Sequence, residues 1–146
     1  MNVGEACARE VFVVEPNESL QQAVSEMCRR NVGCIVVVER HGECVVPVGV
    51  ITDRDVMRRL ASTALPLTDL RVASVMSRDL LILKEDESVV DASQRMRDRR
   101  VRRAPVVAES GDLVGVVSTD DLLGIVAEQL TSLARLVEWQ ARSTRA

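Results

Sequence analysis

A chain of 146 residues, 47% apolar and 28% charged, has room for one compact unit or two very small interlocked ones, and its balance excludes a disordered or fibrous protein. A formal net charge of −3 argues against non-specific nucleic-acid binding, and no apolar run approaches the eighteen or so residues that span a bilayer. Residues 1–10 lack the basic-then-apolar pattern of a signal peptide, so the expected setting is the cytoplasm.

From the N-terminus, residues 11–14 form a β-rich run that stops at Pro16 and Asn17. Ser19 then opens a segment with Leu20, Ala23, Val24 and Met27 at helical spacing, and is the expected cap. Residues 35–38 and 48–51, separated by a turn at His41 and Gly42, read as buried strands, and Val56, Met57 and Leu60 mark a helix behind them. Residues 63–69, with Pro66, read as a linker. The pattern then returns: a strand at 80–83, a helix from about 88 to 99, strands at 105–107 and 113–117, and a helix from Thr119 on. In that last helix Leu122, Ile125, Val126, Leu130, Leu133 and Val137 continue an apolar stripe, which core packing or a second subunit must cover.

Sliding the sequence along itself by 69 positions exposes a duplication. Residues 3–14 lie over 72–83, and Ser19, Ala23 and Met27 fall on Ser88, Ala92 and Met96. Past Gly42 and Gly111 the offset is 66, because the first half has three extra residues around 44–46, read as a loop-side insertion. The expected organisation is one unit over 1–62, a linker over 63–69, a second unit over 70–130 and a C-terminal helical extension over 131–146.

Much chemistry is excluded by what is scarce. Cys7, Cys28, Cys34 and Cys44 form no Cys-x-x-Cys pair, and the single histidine, His41, sits in the turn, so neither a metal centre nor a Ser-His-Asp triad has material to be built from. Phe12 and Trp139 are the only aromatic residues, which leaves aliphatic side chains and backbone to grip any base. Positive charge is almost all arginine, suited to planar contact with phosphate or carboxylate.

Both units place Gly-apolar-apolar-(Thr/Ser)-x-x-Asp where a strand meets a helix: Gly49 to Asp55 with Thr52, and Gly115 to Asp121 with Ser118. One reading is a helix capping box, whose hydroxyl and carboxylate satisfy free amides. The other is a sugar-phosphate site, since a helix N-terminus attracts phosphate and an acid one turn on can accept a ribose diol.

The doubled junction, the strand Ala104-Pro105-Val106-Val107 after Val101-Arg102-Arg103, and the string Thr52-Asp53-Arg54-Asp55 resemble the CBS motif pair, or Bateman module, over residues 1–130. That resemblance implies an α/β (α+β) fold of tandem motifs. Each would be a small three-stranded sheet with two helices on one face, the two packed about a pseudo-twofold axis with clefts between them. It further implies regulatory binding of an adenosine-containing nucleotide of the AMP, ADP, ATP or S-adenosylmethionine class, without catalysis or metal. Asp55 and Asp121 would hold ribose; Thr52, Ser118, Thr119, Arg54, Arg102 and Arg103 would meet phosphate. Val13, Val14, Gly33, Cys34 and Ile35 in one half, and Leu81, Ile82, Ala104 and Pro105 in the other, would line the base. A homodimer and an unidentified downstream protein are the expected partners, with no membrane and no nucleic acid. Arg99, Arg100, Arg102 and Arg103 can instead cap a helix end or, as a weaker alternative, touch nucleic acid. A ligand-free dimerisation scaffold is the remaining class.

Overall fold

Runs such as Ile35-Val36-Val37-Val38 favour strands buried on both faces, because their β-branched side chains alternate sides and every one of them is apolar. In the computed structural model, which describes residues 1–143, that run is the centre of β2 (Cys34–His41). It lies between β1 (Val13–Val14), which it pairs in parallel, and β3 (Cys44–Thr52), which it pairs antiparallel. Helices α2 (Leu20–Arg30) and α3 (Asp53–Ser62) cover one face, where Ile35 and Val37 pack with Leu20, Ala23, Met27 and Val56. Val36 and Val38, on the opposite face, are buried as well.

The second half repeats the plan with β4 (Leu83–Lys84), α4 (Val89–Asp98), β5 (Arg103–Val107), β6 (Leu113–Ser118) and α5 (Thr119–Ser143). Ala104 and Val106 face Val89, Ala92, Met96 and Leu122, while Pro105 and Val107 are buried on the side without helices. The two helix-free faces therefore cover each other.

A short helix α1 (Val3–Ala6) and the turn Val72–Ser74 cross between the halves. The Val3 and Gly4 amides donate to the Glu87 and Glu85 carbonyls, at 2.9 and 2.8 Å. In mirror fashion the Val72 and Ala73 amides donate to the Glu18 and Pro16 carbonyls, at 3.0 and 2.8 Å. Val3 is buried in the second core and Val72 in the first. These reciprocal bonds are the pseudo-twofold axis in atomic terms.

Three local expectations are corrected. Residues 44–46 extend β3, pairing Cys44 with His41, Val45 with Arg40 and Val46 with Glu39, so the insertion lengthens a hairpin; Gly42, at φ 66, supplies the tight turn. The outer strands β1 and β4 keep only two residues each. Ser19 makes no side-chain cap bond, whereas its counterpart Ser88 accepts from the Asp91 amide. From Leu123 on, α5 is largely exposed, with Leu130, Leu133 and Val137 each at least 60% accessible. The extension expected over 131–146 is described as helix up to Ser143, and its last three residues lie outside the described part.

Candidate functional site

Both strand-to-helix junctions close as capping boxes. The Thr52 amide and hydroxyl donate to Asp55 Oδ2 at 3.0 and 2.7 Å, and the Asp55 amide donates back to Thr52 Oγ1 at 3.2 Å. Ser118 and Asp121 repeat the set at 2.8, 2.6 and 3.2 Å. Around α3 the accounting goes further: the Asp53 amide donates to the Gly33 carbonyl at 3.1 Å and the Arg54 amide to Asp53 Oδ1 at 2.8 Å. The amides of the first three helical positions are thus committed, and the Thr52 proton is given to Asp55. Among the described residues both junctions leave open the second carboxylate oxygen, of Asp55 and of Asp121, and at the second the Asp120 amide has no counterpart of the Arg54-to-Asp53 bond.

Around these carboxylates the halves meet. Cys34 and Arg103 occupy equivalent positions on the helix-free faces, at the ends of β2 and β5. Burial pushes the Cys34 thiol up from its ordinary pKa; Arg103 opposes that shift, and Asp55 and Asp53 reinforce it. Cys7 is raised by burial too, with Arg9 opposing and Glu85 and Asp121 adding to the rise. Asp55 thus lies near Cys34 of its own half, and Asp121 near Cys7 of the crossing segment.

Asp55 lies on the wall of an open cleft of about 250 Å³ with Arg58, Arg59, Ser62, Ser74 and Val75. Two larger grooves, of about 400 and 480 Å³, run on the outer side between α2 and α3 and between α4 and α5. Gly33 and Asp53 line the first of these; Arg102 and Thr119 line the second. Among the described residues no group of three or more His, Cys, Asp or Glu is placed to hold a metal ion, and no helix is long and apolar enough to cross a membrane.

The family model for the CBS domain matches residues 3–62 and again 72–128. The chain belongs to the CBS domain family. It is similar to the CBS domain-containing protein YhcV of Bacillus subtilis, 36% identical over 121 residues that cover 83% of this chain and 82% of that one. The protein MK0525 of Methanopyrus kandleri is 30% identical over 125 residues, 86% of this chain, and the chain spans 62% of that relative's length. The fold is also that of the CBS domain pair of protein MJ0100, solved in complex with 5′-methylthioadenosine and S-adenosyl-L-methionine. The TM-score is 0.73 at 22% identity, with 88% of this chain and 98% of that one covered.

Within this CBS pair the residues singled out from sequence separate into groups. Val13, Cys34, Ile82, Arg103 and Pro105 alternate onto the helix-free faces where the halves meet. Val14, Ile35, Leu81 and Ala104 point the other way, into the helix-side cores, so their side chains do not reach that junction. Arg54 is exposed, and Arg99 is tied to Asp79. Arg100 ends α4 in the left-handed region at φ 54, as Asn31 ends α2 at φ 52. Arg58, Arg59, Ser74 and Cys7 were not singled out. A signal for the arginines was present, since residues three and four positions past Asp55 share its helical face. Ser74 and Cys7 gave none, because they reach the site only through the crossing.

Proposed function

We propose that this CBS pair is a regulatory module, not an enzyme, that binds an adenosine-containing nucleotide between its halves. The ligand class is AMP, ADP, ATP or S-adenosylmethionine. The observation that carries this reading is Asp55: one carboxylate oxygen is fixed by the cap, while the other has no partner among the described residues and the side chain lines an open cleft. A fixed carboxylate with a free oxygen is a preorganised acceptor for a sugar diol. Asp121 makes the same cap bonds in the second half and likewise has its other oxygen without a partner among the described residues. Val13, Cys34, Ile82 and Pro105 are the side chains available to a base. The signal is a change in how the halves, or two copies, sit together, and a ligand drives it only through unequal affinity for the two arrangements. A downstream protein in the cytoplasm reads the result.

Two copies meet, on this reading, along α5. Leu123, Val126, Leu130, Leu133 and Val137 alternate at three and four residues, the spacing of a coiled-coil seam, and are 37% to 68% exposed. Ala127, Ala134 and Ala141 flank them, so the face bears no charge that would repel its own copy. Leu123 and Val126 also line the groove beside α4, which makes the seam continuous with the module. The same stripe favours a second reading, a ligand-free dimerisation scaffold.

Calorimetry with AMP, ADP, ATP and S-adenosylmethionine separates the two. Binding heat is expected for the wild-type chain and none for the Asp55→Ala, Asp121→Ala double variant, with the Asn pair as a control that keeps a capping acceptor. Unchanged affinity in the double variant removes the ribose assignment, and no heat with any nucleotide leaves the scaffold.

A further inference from the structure

The helical turn after Asp55 carries charge that the equivalent turn of the second half lacks. Arg58 and Arg59 follow Asp55 by three and four positions, which places them on its side of the helix, and all three line the cleft. The equivalent positions of the second half are Gly124 and Ile125, which have no charge to offer. Arg59 Nε is buried with no hydrogen-bond partner. Among the described residues neither arginine forms an ion pair, whereas Arg29, Arg40, Arg95 and Arg99 each hold a carboxylate. An exposed arginine without a partner is ordinary; a buried guanidinium N–H without one calls for an acceptor that arrives from outside.

The size of the space and the state of the helix end decide what that acceptor is. A cleft of about 250 Å³ falls below the roughly 300–1,000 Å³ of a site enclosing a whole small molecule, so it suits one part of a larger ligand. The start of α3 has its first amides and its Thr52 proton already committed, so it cannot receive phosphate without breaking its own cap. Two cations against the one charge of Asp55 leave the cleft net positive, and the planar guanidinium fork matches phosphate oxygens.

We propose that Arg58 and Arg59 form a phosphate-binding subsite in the first half, one that the equivalent positions of the second half, Gly124 and Ile125, cannot reproduce. The nucleoside part of the ligand rests on the function proposed above; the anion subsite does not. The probes are inorganic pyrophosphate, adenosine and AMP, titrated into the full chain at low salt. Pyrophosphate is expected to bind the wild type and to bind the Arg58→Gln, Arg59→Gln double variant at least tenfold more weakly, while adenosine is unaffected by that change. Asp55→Asn is expected to act in opposite directions, strengthening pyrophosphate by removing a like charge and weakening adenosine. Arg59→Lys, which keeps the charge but loses Nε, gives an intermediate loss. No pyrophosphate binding, or equal affinity in wild type and the double variant, overturns the proposal. If the double variant melts below the assay temperature, Arg58→Gln and Arg59→Lys decide, and wild-type affinity in both overturns it. Should pyrophosphate depend on the arginines while adenosine and AMP fail to bind, the subsite stands and the nucleotide reading falls.

Discussion

A methyl group added at Gly115 would sit 2.7 Å from the Ala8 carbonyl oxygen and 2.7 Å from the Cys7 sulfur, and one at Gly49 would sit 2.7 Å from the Ser77 carbonyl oxygen. Both glycines lie where a crossing segment passes over the third strand of the other half: Ala8 and Val116 exchange backbone bonds, as do Val50 and Ser77. Backbone cannot step aside as a flexible side chain can. Gly115→Ala is therefore expected to lose about 1–3 kcal/mol of stability, read from urea unfolding; a loss of a few tenths would mean the crossing is loose. The glycine was visible in the sequence as part of a repeated motif, but its reason was not, because its neighbour lies a hundred residues away along the chain. The same holds for Cys34 and Arg103, whose proximity only the pairing of the halves creates. Asp55 and Asp121, by contrast, were legible as capping acids, since each stands three residues past a hydroxyl where a strand meets a helix.

At the scale of elements, patterns that repeat locally were read correctly and those set by distant partners were not. Apolar residues three and four apart gave the start of α2 and both ends of α4 almost to the residue, and β-branched runs gave the cores of β2, β3, β5 and β6. The first strand of each half came out shorter than its apolar run, since only two residues of each find a ladder partner. Residues 44–46 were misplaced because an insertion near a glycine turn reads as loop, while Val45 and Val46 had strand propensity enough to lengthen the hairpin. The two serine caps sit at equivalent bridges, Ser19 to Arg71 and Ser88 to Asn2, yet only Ser88 turns its hydroxyl to the helix, where Asp91 accepts its proton at 2.7 Å; the first half has Gln22 at that position. Ser88→Ala is accordingly expected to cost about 1 kcal/mol and Ser19→Ala close to none. Equal losses in thermal or urea melts would show that the cap bond is not the difference between them.

For the whole molecule, the duplication made the architecture legible, since two copies of one unit, each with a half-covered sheet, have to cover each other. What the sequence left open was the destination of the stripe on α5, whose Leu130, Leu133 and Val137 stay exposed well past the module. If two copies pair along it, the full-length chain sediments as a dimer, and Leu130→Glu together with Leu133→Glu shifts it to monomer while the melting of the module persists at high protein concentration. Sedimentation that ignores both substitutions places any association on the grooves between α2 and α3 or α4 and α5 instead.

The exchange of N-terminal segments gives the two halves a mutual grip. Residues 64–66 are exposed between α3 and the turn at Leu67–Asp69, yet a chain cut there would not come apart: the first piece keeps Val3 lodged in the second core, and the second keeps Leu70 and Val72 lodged in the first. Each fragment is the other's missing cover, so complementation between the severed pieces, rather than the peptide that joins them, is what keeps this fold closed.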